Sequence, residues 1–519
     1  MLLLLISSFA LLLGPICYQF LAHRQGLLKA IDGFIFVTLG GMVLTHLLPE
    51  LIHHGGLAAI FMVLVGLFGP TLSERIFKRF SRTTHNITLF LGVFGLMLHT
   101  LTDGSGLSLS NHGGSLFLAL GIIIHRLPVG LTIWWLIRPQ FGVAWGSITI
   151  AMMILFTAIG FTASEHFWHQ LSLDNTVLLQ AFVTGTILHV VLHQPHAHEH
   201  SHHHSHQHQD DHKHKDAKPQ HEYQAGVGSL IGLGFLGLLF LMPEQGHDLQ
   251  HHHQHRSGEQ QLIAWAAQLA PWILACYVLA SVQFKLQLQQ TKGPVWQWLQ
   301  RLTGPEAILL VLCLLGPWWA LIQLGCALAI SLLLSKLNVT MLPSARPMPT
   351  NMIDFSLHFQ VLRSAPWIII SLLTVNLIGH PELPIDAPAL QVLLVLAMIL
   401  PMRFCHIGAT VLAISLAWSG WHPQAVLLPL IAGPLLNLKQ LGTMNGQQGA
   451  TLMALTLVLT LGGIPLPALE HNHQHHIESW QWAALGGLLV LFGHNLLRTG
   501  PRKFLSNLMA IKIKNPHSH

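Results

Sequence analysis

Residues 87–109 read ITLFLGVFGLMLHTLTDGSGLSL, and their only ionisable groups are His99 and Asp103. About 20 predominantly apolar residues in helical conformation cross the hydrocarbon core of a bilayer. This stretch is long enough, and it has neither the period-2 alternation nor the length of a strand. His99 and Asp103 are four positions apart, so a helix places them on one face. Ionisable groups at membrane depth are costly and usually mark a pathway or a site. The alternative is structural: a histidine hydrogen-bonded to a neighbouring helix and an aspartate at a helix end.

The rest of the chain repeats the pattern. Of its 519 residues, 51% are hydrophobic and only 9% charged, and the mean hydropathy is +0.53. A soluble domain carries about 25% charged residues, so a soluble enzyme and a disordered tail protein are both excluded. The expected fold class is an all-α polytopic membrane protein that uses the lipid bilayer as its solvent. The formal charge of +5 lacks the clustered basic and aromatic pattern of a nucleic-acid surface, so no nucleic-acid partner is expected. The five cysteines are scattered, with no CxxC, which argues against a disulfide framework or a cysteine zinc site. Phosphate-binding glycine motifs and hydrolytic or redox constellations are absent, so the chain reads as a non-enzyme.

Eight apolar segments fall at roughly 2–21, 32–52, 57–76, 87–109, 115–137, 141–162, 175–193 and 227–243. The first lacks a basic leader and reads as a membrane helix, not a cleaved signal. Positive residues collect in alternate connections: Arg24 and Lys29, then Arg75, Lys78, Arg79 and Arg82, then Arg138, then Lys213, Lys215 and Lys218. By the positive-inside rule these are cytoplasmic, and both ends of the eight-helix unit face outside. A second half follows, with apolar segments near 261–283, 305–335, 365–379, 389–402, 404–418, 423–437, 449–468 and 479–497. The 305–335 run is either one tilted helix or a tight pair. Lys285, Lys292 and Arg301 mark one inner connection, and Lys336, Arg346 and Arg363 another, so 305–335 goes out and returns or is re-entrant. Pro401, Gly420 and Gly433 interrupt 389–437, as in helices that line transport sites; kinked helices without a site are the alternative. The expected division is a membrane domain at 1–247, a histidine-rich external linker at 248–260 and a second membrane domain at 261–519.

Histidine is the other anomaly, at 39 residues. Twelve lie in the polar loop 193–222, which is expected to be disordered and cytoplasmic. His196, His198, His200, His202, His203, His204, His206 and His208 are its closest-spaced metal-capture candidates. His247, His251, His252, His253 and His255 form a second cluster, and His471, His473, His475 and His476 a third, both expected outside. Neutral imidazoles suit Zn, Ni, Co or Cu; a solvated spacer is the bland alternative. His189 and His193, four apart at the end of the seventh segment, are placed to pass metal to the loop, unless His193 merely begins it.

Three motifs carry a resemblance. His46-Leu47-Leu48-Pro49-Glu50, the HTLTDG run from His99 to Gly104, and His125-Arg126-Leu127-Pro128 resemble the ZIP family of divalent metal transporters. Gly185-Thr186-Ile187-Leu188-His189-Val190 and the histidine-rich loop fit the same family. The resemblance covers residues 1–247 and implies an eight-helix bundle with a metal pathway between its fourth and fifth helices. His99, Asp103 and His125 match the family's ligand positions. Arg126 stands where a carboxylate ligand belongs, and Val129 and Gly130 replace a later His and Glu. The resemblance therefore implies a reduced, single-metal site of His99, Asp103 and His125. Arg126 is placed either to repel the metal or to pair with Asp103 and block the path.

In the second half, Arg403-Phe404-Cys405-His406-Ile407-Gly408-Ala409-Thr410 and Ile431-Ala432-Gly433-Pro434-Leu435-Leu436-Asn437 resemble the predicted-permease family that includes organoarsenical efflux permeases. That implies a second helical bundle with short or re-entrant segments and makes Cys405 and Asn437 pathway residues. Otherwise Cys405 is a small buried hydrophobe. The expected function is divalent metal-ion transport, zinc first and nickel, cobalt or copper after it, with the histidine-rich loops capturing or buffering the ion. Two alternatives stand beside it: a non-transporting metal-binding or regulatory membrane protein, and an efflux permease acting through the C-terminal half. Compact loops point to a bacterial inner membrane, and a homodimer is compatible with either half.

Overall fold

The computed structural model describes residues 1–21, 24–76, 97, 100–101, 103–105, 107–108, 116–167, 177–178, 180–182, 184–185, 188, 220–240, 258–286, 293–339, 349–378, 387–462, 464–467 and 477–505. Regular structure among them is helical, with no strand. Six helices are long and apolar enough to cross a membrane, and several shorter apolar ones accompany them. The protein is an all-α, multi-pass membrane protein. The described chain divides into two compact units, Met1–His253 with Leu497–Pro501 and Gln254–Leu496 with Arg502–His519. The division falls inside the 248–260 linker read from the sequence.

The first unit holds α1 (Leu2–Leu21), α2 (Gln25–Met42), α3 (Leu48–Ile76), α4 (Leu116–Phe167) and α5 (Gln220–Phe240). A π-helical turn, Val43–Leu47, joins α2 to α3. The fifth and sixth apolar segments form the two arms of α4, which turns at Gly142 (φ 87°), a conformation a glycine adopts without steric cost. In α1, Leu5, Phe9, Leu12 and Ile16 are exposed at helical spacing, while Ser7, Ala10 and Leu11 are buried. An outward apolar stripe of this kind faces lipid, and the inward stripe mixes small residues with Leu11.

Small residues decide how these helices meet, because lipid chains are as apolar as leucine and only close packing favours association. A methyl group on Gly14 or Gly130 would strike the backbone of α4 or α1 respectively, and one on Gly228 would strike Ala30 of α2. The α1–α4 and α2–α5 pairs are thus in backbone contact. Arg138, where the first arm of α4 ends, lies over the Tyr18 ring near the end of α1, 5.0 Å from its centroid.

The second unit contains α6 (Gly258–Lys285), α7 (Pro294–Leu302), α8 (Pro305–Leu314), α9 (Pro317–Lys336), α10 (Gln360–Ile378), α11 (Pro388–Ile399), α12 (His406–Trp418), α13 (Pro423–Ala432), α14 (Leu438–Leu441), α15 (Gly446–Leu461), α16 (Ser479–Thr499) and α17 (Pro501–Leu505). Six of these helices open on proline, whose missing N–H costs nothing in a first turn. The 305–335 run is a pair: α8 stops at Leu314 and α9 starts at Pro317, across Gly316 (φ 100°). The segment expected at 365–379 starts earlier, through a π-helical turn Asp354–Phe359 that leads into α10. Polar residues at 358–364 hid that start; the Asn495 amide donates to Leu357 O at 2.9 Å and its oxygen meets His358 Nδ1 at 2.6 Å, so the polar groups are satisfied internally.

At the centre lies α12, all thirteen residues of which are buried. A helix buried on every side belongs to the core of a bundle. It packs against α8, α10 and α13. The amphipathic α7, which the hydropathy reading missed, buries Trp298, Leu299 and Leu302 on one face.

Candidate functional site

The first polar site is built on Asp103. Described residues of the 97–108 segment are helical, and Gly104 and Gly160 let this helix and the second arm of α4 touch backbone to backbone. Arg126 projects from the first arm. Its Nη2 is 3.2 Å from Asp103 Oδ2, with the two side chains 1% and 8% exposed. Its Nη1 donates to Thr157 Oγ1 at 2.8 Å, and Thr157 in turn donates to Met153 O. Arg126 is thus held between an aspartate and a hydroxyl on two segments. Its Nε has no hydrogen-bond partner among the described residues, so the five-donor guanidinium is incompletely satisfied.

The pairing alternative offered for Arg126 is the arrangement found. A guanidinium lies on the carboxylate that a one-metal site would use. Thr157 was not anticipated: nothing in the sequence marks a threonine in α4 as a partner for an arginine thirty-one positions earlier. His125 lies in α4, but its side chain is outside the described residues, as are His99, His189, His193 and the clusters within 193–221, 247–255 and 471–476. Among the described residues no three His, Cys, Asp or Glu side chains converge as a metal centre would require.

The second polar site lies where helices of the second unit break. Chain leaves α11 at Ile399 and enters α12 at His406; it leaves α13 at Ala432 and resumes at Leu438. Leu438 N donates to Leu400 O at 2.9 Å, which ties the two breaks together. Cys405 and Asn437 are the residues that close them. Cys405 is the N-cap of α12, its Sγ accepting from Gly408 N at 3.3 Å. Asn437 caps α14, its Oδ1 accepting from Gln440 N at 2.9 Å. Both are buried and both satisfy orphan N–H groups of a helix start.

Beside Cys405 stands His406, the first residue of α12, facing Glu306 in the first turn of α8. His406 Nε2 and Glu306 Oε2 are 3.5 Å apart, and the residues are 5% and 2% exposed. Gln283 of α6 turns its amide to Glu306 without completing a well-formed hydrogen bond. The Cys276 thiol donates to Glu306 O at 3.3 Å. Glu306 was absent from the sequence reading, although an acidic residue after Gly-Pro at the head of an apolar run was the available signal.

Arg301 on α7 is held down to about 10 by burial and then by Arg363 and Arg403; it stays charged at neutral pH. Arg301, Arg363 and Arg403 therefore lie near enough to one another for their charges to interact. No family model matches the chain, and no curated protein or solved structure matches it either.

Proposed function

We propose that the chain is a divalent-metal transporter of a bacterial inner membrane, with zinc as the first candidate cargo and nickel, cobalt or copper after it. The observation that carries this reading is the lodging of histidine clusters, twelve residues at 193–221, five at 247–255 and four at 471–476, between helices of a multi-pass membrane protein. Such segments bind soft and borderline divalent ions through neutral imidazoles, reversibly and in competition with protons. The ZIP resemblance supplies the route, with His99, Asp103 and His125 as the single-metal site.

In this reading the Arg126–Asp103 contact is the resting state of that route. A tethered cation neutralises the carboxylate while no metal is present, and an arriving dication has to displace it. The 3.2 Å separation and an Nε without a hydrogen-bond partner among the described residues favour displacement: charge-assisted contacts of full strength are shorter, about 2.7–2.9 Å. A second reading, efflux through the second unit, is favoured by the paired helix breaks at 400–405 and 433–437. Metal accumulation in cells lacking their own zinc transporters tests the proposal. Expression of the full chain shifts cellular zinc in either direction, and deletion of 196–221 reduces the shift. Unchanged zinc, nickel, cobalt and copper in expressing cells would sink it.

A further inference from the structure

Glu306 and His406 come from separate helices, α8 and α12, that start side by side. A carboxylate and an imidazole therefore meet at the heads of two neighbouring short helices, out of contact with water. Gly304 is pressed against both: a methyl group there would lie 2.5 Å from Glu306 Oε2 and 3.0 Å from His406 Nε2. Neither ring nitrogen of His406 completes a hydrogen bond among the described residues. Buried polar groups are nearly always satisfied, so a nine-tenths-buried imidazole whose Nε2 stands 3.5 Å from a carboxylate oxygen without a well-formed hydrogen bond calls for an explanation.

Charge arithmetic supplies one. With no proton the pair carries −1, with two it carries +1, and only with one is it neutral. Out of water the neutral state is strongly favoured. The neighbours do not change this count. Glu306 is the only carboxylate in the ranges of α8, α9, α10, α12 and α13. On α6, the Cys276 thiol is engaged with Glu306 O and the Tyr277 hydroxyl with Ser364 at 2.7 Å. Cys313 on α8 is exposed and Cys326 on α9 is buried; both are thiols, mostly neutral below the ordinary thiol value of about 8.5. Arg363 on α10 acts electrostatically on Cys405, and Arg301 and Arg403 stand just before the two helix starts; an arginine supplies no exchangeable proton.

We propose that Glu306 and His406 are a proton-binding pair that holds one exchangeable proton between them. The proton moves from His406 Nε2 to Glu306 Oε2, an N–H bond breaking as an O–H bond forms, and leaves to water when the second unit opens. Use of this proton to drive transport rests on the transport reading; the existence of the pair does not.

The test uses the full chain in lipid nanodiscs and dicyclohexylcarbodiimide, an apolar reagent that modifies protonated carboxyls. Modification of Glu306 is read by mass spectrometry between about pH 5 and about pH 8, the range in which an imidazole titrates. In the wild type the proton is shared with His406, so Glu306 carries it part of the time and modification is partial. In His406→Gln, Glu306 must keep the proton itself, so modification rises several-fold. Equal modification in wild type and His406→Gln, or none in either, would overturn the proposal. The wild type decides the matter alone if the variant does not fold: Glu306 must be modified at about pH 7, far above the ordinary carboxyl range of about 4.3, and no modification there overturns the proposal. Zinc-loaded proteoliposomes carrying a pH dye then separate the two proposals. Metal flux with proton counterflow lost in Glu306→Gln supports coupling, metal flux with counterflow unaltered in that variant removes it, and an absence of flux removes only the transport reading.

Discussion

Arg126 shows how much one side chain constrains the account of the first unit. A guanidinium that is 1% exposed survives at membrane depth only because Asp103 and Thr157 receive it. Removing one member of such a pair leaves an uncompensated charge, at about 3–5 kcal/mol, whereas replacing both with neutral groups of similar volume is close to neutral. Arg126→Met therefore destabilises the protein by about 3–5 kcal/mol in denaturant unfolding from micelles, and Asp103→Asn added to it recovers most of the loss. If the double variant were no more stable than the single one, Arg126 would be held by something other than Asp103. The pairing was legible in the sequence, since a cation at a ligand position has few ways to be neutralised. Glu306 and His406 were not. They are one hundred positions apart, and only the fold brings two helix starts together.

Among the elements, glycine spacing and proline placement carry the most information. The first-unit segments at 2–21, 32–52, 57–76, 115–137, 141–162 and 227–243 fall on helices among the described residues because lipid-facing stripes such as Leu5–Ile16 dominate the average. In the second unit the same reading places α12 at 404–418, close to its observed His406–Trp418, because a helix buried on every side is apolar on every side. It misses α7, which is too short and too polar to register as a membrane segment. The start of α10 was set late because His358 and other polar residues depress hydropathy even where Asn495 satisfies them. Backbone contact predicts a large response to small additions. Gly130→Leu forces α1 away from α4, while Gly234→Leu, where no atom lies within 4 Å of the added carbon, does not. The first should lose at least about 1–3 kcal/mol, typical of overpacking, and the second little, as read by thermal unfolding in detergent. Equal losses in both would mean that α1 and α4 are not in backbone contact.

For the whole molecule, the expected topology places 193–222 inside and the clusters at 247–255 and 471–476 outside. Single cysteines introduced at 205, 250 and 472 of a cysteine-free variant report this directly. The latter two should react with a membrane-impermeant maleimide in intact cells and the first only after lysis. The histidine segments should also give metal binding a definite sign with pH. Protonation removes the lone pair that binds the ion, so zinc affinity of the purified chain stays high near neutral pH and falls steeply below about pH 6. Calorimetry that showed the same affinity at both ends would assign the binding to carboxylates.

Transport itself is most directly measured as metal flux into proteoliposomes loaded with a divalent-metal dye, with zinc, nickel, cobalt and copper offered separately. The wild type should admit zinc, and Asp103→Asn combined with Arg126→Met, which leaves no uncompensated buried charge, should abolish that flux while leaving zinc binding by the histidine segments intact. Flux equal in the variant would move the route out of the first unit. No flux for any of the four ions, with binding retained, would reduce the protein to a metal-binding membrane protein that does not transport.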